Sequence, residues 1–128
     1  PKLPMIFEEH RVAVTPMQSG YRLGSMMELG YDDSIAPKRI DYLKQAAGLY
    51  LHEPAGEPVE ETWTGWRPMT PDGLPVIGRA PALDNVLIAA GHNMLGVSMA
   101  PATGRLVAEL ITGRPPHIDP APYAPGRF

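Results

Sequence analysis

Arg67 is the residue in this sequence best suited to bind a carboxylate. It stands between Trp66 and Pro68, at the end of an aromatic, β-branched stretch. A guanidinium group is planar and donates two parallel hydrogen bonds, which matches the geometry of a carboxylate. The two stiff neighbours would limit the movement of that group. The pattern therefore predicts a carboxylate-binding site, although a surface arginine or a structural ion pair also explains it.

A second candidate site is the glycine-bracketed loop Gly91–Gly96, which precedes a predicted helix over roughly Ser98–Thr112. The N-terminus of a helix offers free backbone N–H groups and the positive end of the helix dipole. The loop has neither the GxxxxGK[ST] spacing of a phosphate loop nor a GxGxxG dinucleotide fingerprint. It is therefore predicted to bind one partial negative charge, unless it is a plain glycine-rich turn.

The histidines and carboxylates indicate no further chemistry. His10, His52, His92 and His117 stand singly, without the spacing of a metal site, so no metal is expected. The favoured interpretation of His92 is a ring held by local hydrogen bonds. Paired carboxylates are adjacent in sequence and would point to opposite faces of a strand. No residue is predicted to act as a catalytic acid, base or nucleophile.

Composition excludes several classes of protein. The chain has 128 residues, the length of one ordinary domain, and a formal net charge of −3, without the basic runs of a nucleic-acid-binding protein. It has no Cys, which excludes disulfides and thiolate sites. No apolar stretch approaches the roughly 18 residues of a membrane span. With 13 Gly and 16 Pro the chain should contain many turns. No signal peptide is recognisable, so a cytoplasmic protein is expected.

The first third of the chain is predicted to form short strands. Val12 and Val14 should face one side of a strand and Ala13 the other, the period of a half-buried strand. The predicted strands are Pro4–Phe7, Arg11–Thr15 and Tyr21–Leu23, with a hairpin turn at Pro16–Gly20 and a continuation of the last strand over Ser25–Gly30.

A helix is predicted next. Pro37 fits its first turn, and Asp32, Asp33 and Ser34 offer N-cap oxygens. The spacing of four apolar residues gives one helical face, and Pro54 should end the helix before a loop over His52–Pro58. The four apolar residues are Ile40, Leu43, Ala47 and Tyr50.

The second half of the chain alternates apolar stretches with turns. Thr70–Gly73 is a strong turn signal, because Pro71 presets φ and Gly73 closes the turn. The helix after the loop should have Pro101 in its first turn and Gly113 at its end. Two strands are expected, Glu61–Trp66 and a fully buried Val86–Ala90, together with the short apolar stretch Leu74–Gly78, an apolar helix face of Leu106, Leu110 and Ile111, and an extended tail over Arg114–Phe128.

The longest motif of the chain resembles a known family. The segment Thr64–Gly78 (TGWRPMTPDGLPVIG), with Ala90–His92, Leu95-Gly96 and Ala100–Gly104, is similar to the C-terminal part of the D-amino acid oxidase superfamily of flavoenzymes. The resemblance is greatest to its D-amino acid dehydrogenase branch. It extends from about Pro4 to Gly113, and the central motif is its most specific part.

The resemblance implies an α+β fold in which a largely antiparallel sheet with packed helices forms a substrate domain. Residues 1–85 would belong to that domain, residues 86–113 would supply the last strand, loop and helix of an FAD-binding domain, and residues 114–128 would form the tail. The family's dinucleotide fingerprint is absent from this sequence. The chain is therefore expected to be a C-terminal fragment that lacks the N-terminal FAD-binding part and is inactive alone.

The resemblance also implies roles for individual residues. Arg67 would bind the carboxylate of a small amino acid substrate, with Met94 in the pocket for its side chain. The stretch along the flavin of FAD would consist of Gly91, His92, Asn93, Met94, Leu95, Gly96 and Val97. The implied reaction oxidises a D-amino acid to an imino or 2-oxo acid by hydride transfer to flavin.

Two departures from the family pattern bear on the substrate. Glycine oxidases carry a second Arg where this chain has Met94, and a Tyr where it has Ala13. Both differences favour the dehydrogenase branch. The alternatives are a sarcosine-, proline- or glycine-type amine oxidase or dehydrogenase subunit, and a stand-alone module without activity. The electron acceptor and peripheral attachment to a membrane through the absent part are left open, and no nucleic-acid partner is expected.

Overall fold

The predicted alternation of Val12 and Val14 is confirmed. The computed structural model describes residues 1–56 and 58–128. Strand β1 (Met5–Phe7) pairs antiparallel with β2 (Val12–Pro16), which pairs antiparallel with β3 (Tyr21–Gly24). Val12 and Val14 are fully buried on one face of this sheet. The predicted hairpin between β2 and β3 forms, and Met17 N–H donates to the Gly20 carbonyl at 2.9 Å.

The predicted continuation of β3 over Ser25–Gly30 is wrong, since β3 ends at Gly24. In the antiparallel register Gly24 lies opposite Ala13. Met26 would therefore have to pair with Arg11, which precedes β2. Arg11 and Met26 have φ values of 52° and 56°, which an extended ladder does not accommodate.

Helix α1 (Pro37–Gly48) covers the buried face of this sheet. Ala46 and Ala47 meet Val12 and Val14 in the core, because small side chains let the helix approach closely. The core is completed by partly buried side chains, namely Met5, Phe7, Tyr21, Leu23, Leu43 and Leu51. The ring of Tyr50, just beyond α1, stacks on Phe7 with 4.1 Å between centroids.

The start and end of α1 differ from the prediction. Pro37 lies in the first turn as expected, but the N-cap is Ala36 and no side chain caps the helix. Asp32 instead accepts a hydrogen bond from Ser34 N–H at 2.9 Å, so its carboxylate closes a local turn. The helix ends at Gly48, before Pro54. Of the predicted loop His52–Pro58, Glu57 lies outside the described residues.

The second group of elements is a two-stranded sheet covered by a helix. Strand β4 (Val76–Arg79) pairs antiparallel with β5 (Leu87–Ala90), and helix α2 (Gly96–Thr112) packs on both. Ile77 and Leu106 are buried between them. Gly113 ends α2 as predicted, and its φ of 67° is the left-handed conformation common at helix ends.

Two strand predictions for this half need correction. Glu61–Trp66 is not a strand, since no backbone in the described part of the chain pairs with it. The end of β5 is exposed at Ala89 and Ala90, so the predicted full burial of Val86–Ala90 is wrong. β5 has one neighbour among the described residues, β4, and a strand buried on both faces needs more cover. Glu61–Trp66 has no strand partner among the described residues.

Helix α2 and the tail also differ in detail from the prediction. The helix begins at Gly96, which places Pro101 in its second turn, and Ile111 points to solvent rather than to the core. The tail is not simply extended, because Ala121–Tyr123 and Pro125–Arg127 form two short 3₁₀ turns against β4. None of the helices in residues 1–56 and 58–128 is long and apolar enough to cross a membrane.

The chain divides into two units, Pro1–Gly65 and Trp66–Phe128. The first holds the three-stranded sheet with α1, and the second holds the two-stranded sheet with α2 and the tail. Both fit the expected α+β class with antiparallel sheets and packed helices. The functional division predicted after residue 85 remains a prediction.

Candidate functional site

Arg67 lies at the start of the second unit with its side chain exposed. Its guanidinium group forms no ion pair or hydrogen bond with any of residues 1–56 and 58–128. The structure thus gives no support to the alternative of a structural ion pair. As far as the described residues go, its donors remain available to a ligand.

The segment from Arg67 to Leu74, called the Arg67 segment below, is held by a tight turn. Gly73 N–H donates to the Thr70 carbonyl at 3.2 Å, and Gly73 has φ 74°. Thr70 Oγ1 donates to the Leu74 carbonyl at 2.7 Å, and Leu74 N–H donates to Asp72 Oδ1 at 3.1 Å. The turn predicted over Thr70–Gly73 is therefore confirmed, and its side chains reinforce it.

Asn93 joins this segment to the glycine-bracketed loop. Its backbone N–H donates to the Pro68 carbonyl at 3.2 Å. Its Oδ1 accepts from Thr70 N–H at 3.3 Å, and its Nδ2 donates to the Gly73 carbonyl at 2.7 Å. Three hydrogen bonds, between residues that are 20 or more positions apart in sequence, thus connect the loop to the Arg67 segment.

Gly91 brings the end of β5 close to the same turn. It is buried and has φ 76°, and a Cβ at this position would lie 2.7 Å from Thr70 Cγ2. Glycine is required here both by the backbone conformation and by the close approach. The first glycine of the loop is therefore part of the contact with Thr70.

The N-terminus of α2 fits a group with negative charge. The N–H groups of Gly96, Val97 and Ser98 have no hydrogen-bond partner in the described part of the chain, and no side chain caps the helix. Val97 is 93% exposed and Met94 64% exposed, so the approach to these donors is open. The electron-rich edge of a reduced flavin ring is a group of this kind, and the exposed apolar side chains would suit its flat faces.

His92 has a local structural role. Its Nε2 lies 2.9 Å from Thr103 Oγ1, which belongs to the second turn of α2. This bond holds the loop against the helix and agrees with the interpretation of a ring held locally. The predicted contacts of His92 and the other loop residues with FAD stay predictions.

Sequence reasoning missed two contacts that shape this region. It did not assign the bridging side chain of Asn93, although Asn is enriched in the left-handed conformation that it adopts here, with φ 52°. It also missed the bidentate ion pair between Arg127 and Asp72, in which Nε donates to Oδ2 at 2.7 Å and Nη2 donates to Oδ1 at 3.1 Å. A contact across 55 residues leaves no local signal.

Other surface features lie away from this region. A concave surface of about 350 Å³ at the C-terminal end of α2 is lined by Arg105, Ala108, Glu109, Thr112 and Arg114. Two of its charged side chains are already paired with each other, since Arg105 Nε lies 2.8 Å from Glu109 Oε1. Within residues 1–56 and 58–128 no group of three or more metal-ligating side chains is present.

Known proteins resemble this chain over most of its length. It is 40% identical to the D-amino acid dehydrogenase of Xanthobacter autotrophicus over 131 aligned residues, which cover 100% of this chain and 30% of that protein. It is 37% identical to the glycine oxidase of Pseudomonas aeruginosa, over 94% of this chain and 34% of that protein. The crystal structure of glycine oxidase from Geobacillus kaustophilus matches with a TM-score of 0.76 and 29% identity, over 91% of this chain and 32% of that one.

These relatives extend well beyond the region of similarity, and the chain spans about a third of their length. The family model described as DAO, FAD dependent oxidoreductase, matches residues 1–110. The match includes Arg67, the turn after it, the loop and most of α2. The chain therefore belongs to the DAO family of FAD-dependent oxidoreductases.

Proposed function

We propose that this chain supplies the substrate-carboxylate site and the flavin-facing loop of an enzyme that oxidises D-amino acids. The observation that carries the proposal is the set of three hydrogen bonds by which Asn93 joins the Arg67 segment to the loop before α2. A group that binds a carboxylate and a group that stabilises a reduced flavin are thereby held together within one unit. Oxidation of an amino acid needs both.

In this proposal Arg67 binds the carboxylate of the substrate and so fixes the direction of its α carbon. Because the reacting carbon is held in place, no acid or base residue is needed beyond an unprotonated amine. FAD, when bound, accepts the hydride that leaves the α carbon. The C–H bond breaks with departure of the hydride, the nitrogen lone pair forms the carbon–nitrogen double bond, and water converts the resulting iminium to a 2-oxo acid and ammonium. An external acceptor then takes the two electrons.

The free N–H groups at the start of α2 would stabilise the negative charge that this hydride brings to the flavin. They are preorganised by the helix, so they need not reorient during the reaction. Gly96 and Val97 are the residues whose backbone N–H groups are best placed for it, since both lie in the exposed first turn of α2.

The substrate class rests on two residues. Met94 is 64% exposed beside Asn93, and an apolar side chain there favours a substrate with a small apolar side chain. Ala13 on β2 stands where glycine oxidases of the family carry a Tyr. The second candidate is a glycine- or secondary-amine-type enzyme, which the similarity to two glycine oxidases favours. A panel of D-alanine, glycine, sarcosine and proline separates them, because D-alanine is a primary amine with a side chain, glycine is a primary amine without one, and sarcosine and proline are secondary amines.

The proposed partner of this chain is an FAD-binding portion that carries a dinucleotide-binding βαβ unit. The chain alone would then hold no flavin and catalyse nothing. A visible absorption spectrum of the purified chain tests this proposal. A colourless sample agrees with it. A flavin band that D-alanine bleaches without oxygen would show instead that the chain alone suffices for flavin binding and oxidation. A stand-alone module without activity would be colourless and would not form an active flavoenzyme with an FAD-binding portion.

Arg67→Ala in the flavin-loaded enzyme tests the carboxylate role. Two charge-assisted hydrogen bonds would be lost, and kcat/KM for D-alanine should fall about 100-fold or more. The kcat/KM of Arg67→Lys should lie between those of the wild type and Arg67→Ala, because lysine keeps the charge but cannot donate two parallel hydrogen bonds. Arg114→Ala, which replaces an arginine just after the C-terminal end of α2 in the same unit, is the control. An unchanged kcat/KM in Arg67→Ala would refute the assignment.

A further inference from the structure

We propose that Asn93 is a positioning residue for Arg67, and that it acts through the Arg67 segment rather than by binding the cofactor. The inference rests on the proposed carboxylate role of Arg67. It assigns to Asn93 a function different from that of its neighbours in the loop. Its side chain would determine where the substrate carboxylate lies relative to the flavin-facing N–H groups of α2.

The hydrogen bonds of Asn93 leave its side chain little capacity for a ligand. Oδ1 accepts from Thr70 N–H, and Nδ2 donates to the Gly73 carbonyl at 2.7 Å. The amide is therefore turned toward the turn that follows Arg67. The flavin-facing donors of the loop, by contrast, are backbone N–H groups beyond Asn93.

The backbone of Asn93 places these bonds. With φ 52° the residue is in the left-handed region. In this conformation its backbone N–H donates to the Pro68 carbonyl, one residue from Arg67. Asn tolerates this conformation better than most residues other than Gly, so the same residue provides both the turn and the bridge.

The hydrogen bonds of Asn93 restrain the backbone on the C-terminal side of Arg67. Their loss should therefore affect the position of Arg67. Pro68 fixes its own φ, and its carbonyl is bound by Asn93, so the backbone next to Arg67 has a defined direction. Among residues 1–56 and 58–128 no ion pair restrains the guanidinium group itself. Its position therefore depends on the backbone that Asn93 holds.

The test compares three Asn93 variants in the flavin-loaded enzyme. Asn93→Gly keeps the left-handed backbone and removes both side-chain bonds. Asn93→Asp keeps an acceptor for Thr70 N–H and loses the donor to the Gly73 carbonyl. Asn93→Ala removes both bonds and adds backbone strain. Asn85→Gly, an asparagine in the connection between β4 and β5 of the same unit, is the matched control.

The first readout is the binding of propanoate, a carboxylate without an amine, measured by calorimetry. Asn93→Gly should weaken it about tenfold, as expected for the loss of two neutral hydrogen bonds. Asn93→Asp should weaken it at least as much, because a carboxylate oxygen would replace the donor 2.7 Å from the Gly73 carbonyl and its charge would repel propanoate, and Asn85→Gly should cause no loss. Wild-type propanoate affinity in Asn93→Gly and in Asn93→Asp would overturn the inference, even if their melting temperatures fall.

The second readout is a double-mutant cycle with Arg67→Ala. If Asn93 acts through Arg67, then Asn93→Gly should have little further effect on propanoate binding or on KM for D-alanine once Arg67 is absent. Full additivity of the two losses would overturn the inference. Should Arg67→Ala bind propanoate like the wild type, the proposed function fails first. A loss in Arg67→Ala without any loss in Asn93→Gly refutes the Asn93 inference alone.

Discussion

Gly91 is the residue at which sequence and geometry place the tightest constraint on this site. An alanine there would have to adopt φ 76°, and its Cβ would lie 2.7 Å from Thr70 Cγ2. A positive φ costs an L-residue roughly 1–2 kcal/mol, and overpacking costs about as much again. We expect Gly91→Ala to lower the free energy of unfolding by about 2–4 kcal/mol, measured by urea denaturation.

Gly104 is the matched control for this substitution. It lies in the middle of α2, and a Cβ at Gly104 would meet no atom within 4 Å. Gly104→Ala should therefore raise the stability by about 0.5–1 kcal/mol, because alanine favours a helix. If the two substitutions have similar effects, the close approach of Gly91 to Thr70 is not what limits the residue type.

At the scale of elements, the C-terminal end of α2 is held by Glu109. Its Oε2 accepts from both the backbone N–H and the Nδ1 of His117 at 2.8 Å, and its Oε1 pairs with Arg105. The hydrogen bonds from His117, followed by that from Arg105, lower the pKa of Glu109 from 4.5 to about 2. The carboxylate therefore joins the helix to the beginning of the tail.

This lowered pKa predicts an acid-sensitive contribution to stability. A group whose pKa is lower in the folded state stabilises the fold above its ordinary pKa and loses that effect as the pH falls through the folded value. Glu109→Gln should be less stable than the wild type at neutral pH. The difference should shrink from about pH 4.5 down to about pH 2, as urea midpoints at several pH values would show.

Asp84→Asn, a substitution in the connection between β4 and β5, is the control for this pH series. If the stabilities of wild type and Glu109→Gln converge at low pH while those of wild type and Asp84→Asn do not, the acid sensitivity belongs to Glu109. A difference between wild type and Glu109→Gln that stays constant over the whole range would instead mean that the helix end does not depend on the charge of this residue.

The elements that sequence reasoning predicted well are those fixed by local chemistry. The hairpin after β2, the turn at Thr70–Gly73 and the Gly113 end of α2 each depend on residues that are neighbours in the chain. The errors at Glu61–Trp66 and Val86–Ala90 have a different origin. A strand is defined by the backbone beside it, and neither aromatic content nor apolar runs reveal which backbone that is.

The same distinction explains what was predictable at the site. Arg67 and the loop before α2 were identified from residue types and from the family resemblance. The side-chain bridge from Asn93 to Thr70 and Gly73 was not, because it joins positions 20 or more residues apart. Local patterns indicate which groups can do chemistry, and tertiary hydrogen bonds decide how those groups are oriented to each other.

At the scale of the whole second unit, the tail completes the surroundings of the Arg67 segment. Arg127 holds Asp72 by two hydrogen bonds and also donates to the Leu74 carbonyl at 2.8 Å. The hydrogen bonds from Arg127 hold the pKa of Asp72 well below its ordinary value. The turn that Asn93 binds on one side is therefore bound by the tail on the other.

The tail also packs against β4 at a position where only glycine fits. A Cβ at Gly78 would lie 2.8 Å from Pro125 Cδ and 3.9 Å from Ala124 Cα. Gly78→Ala should therefore displace the tail and lower the free energy of unfolding by about 1–3 kcal/mol, an ordinary cost of overpacking. Thermal or urea unfolding measures this loss.

A second substitution shows whether this loss comes from the tail. In a variant truncated after Pro120, the contact with Pro125 no longer exists, and Gly78→Ala should cost only the strain of its φ of 156°. Arg127→Ala in the full chain should weaken propanoate binding in the flavin-loaded enzyme, because the turn next to Thr70 loses its outer support. If Gly78→Ala costs as much without the tail as with it, the contact between Gly78 and Pro125 does not limit the residue type at position 78.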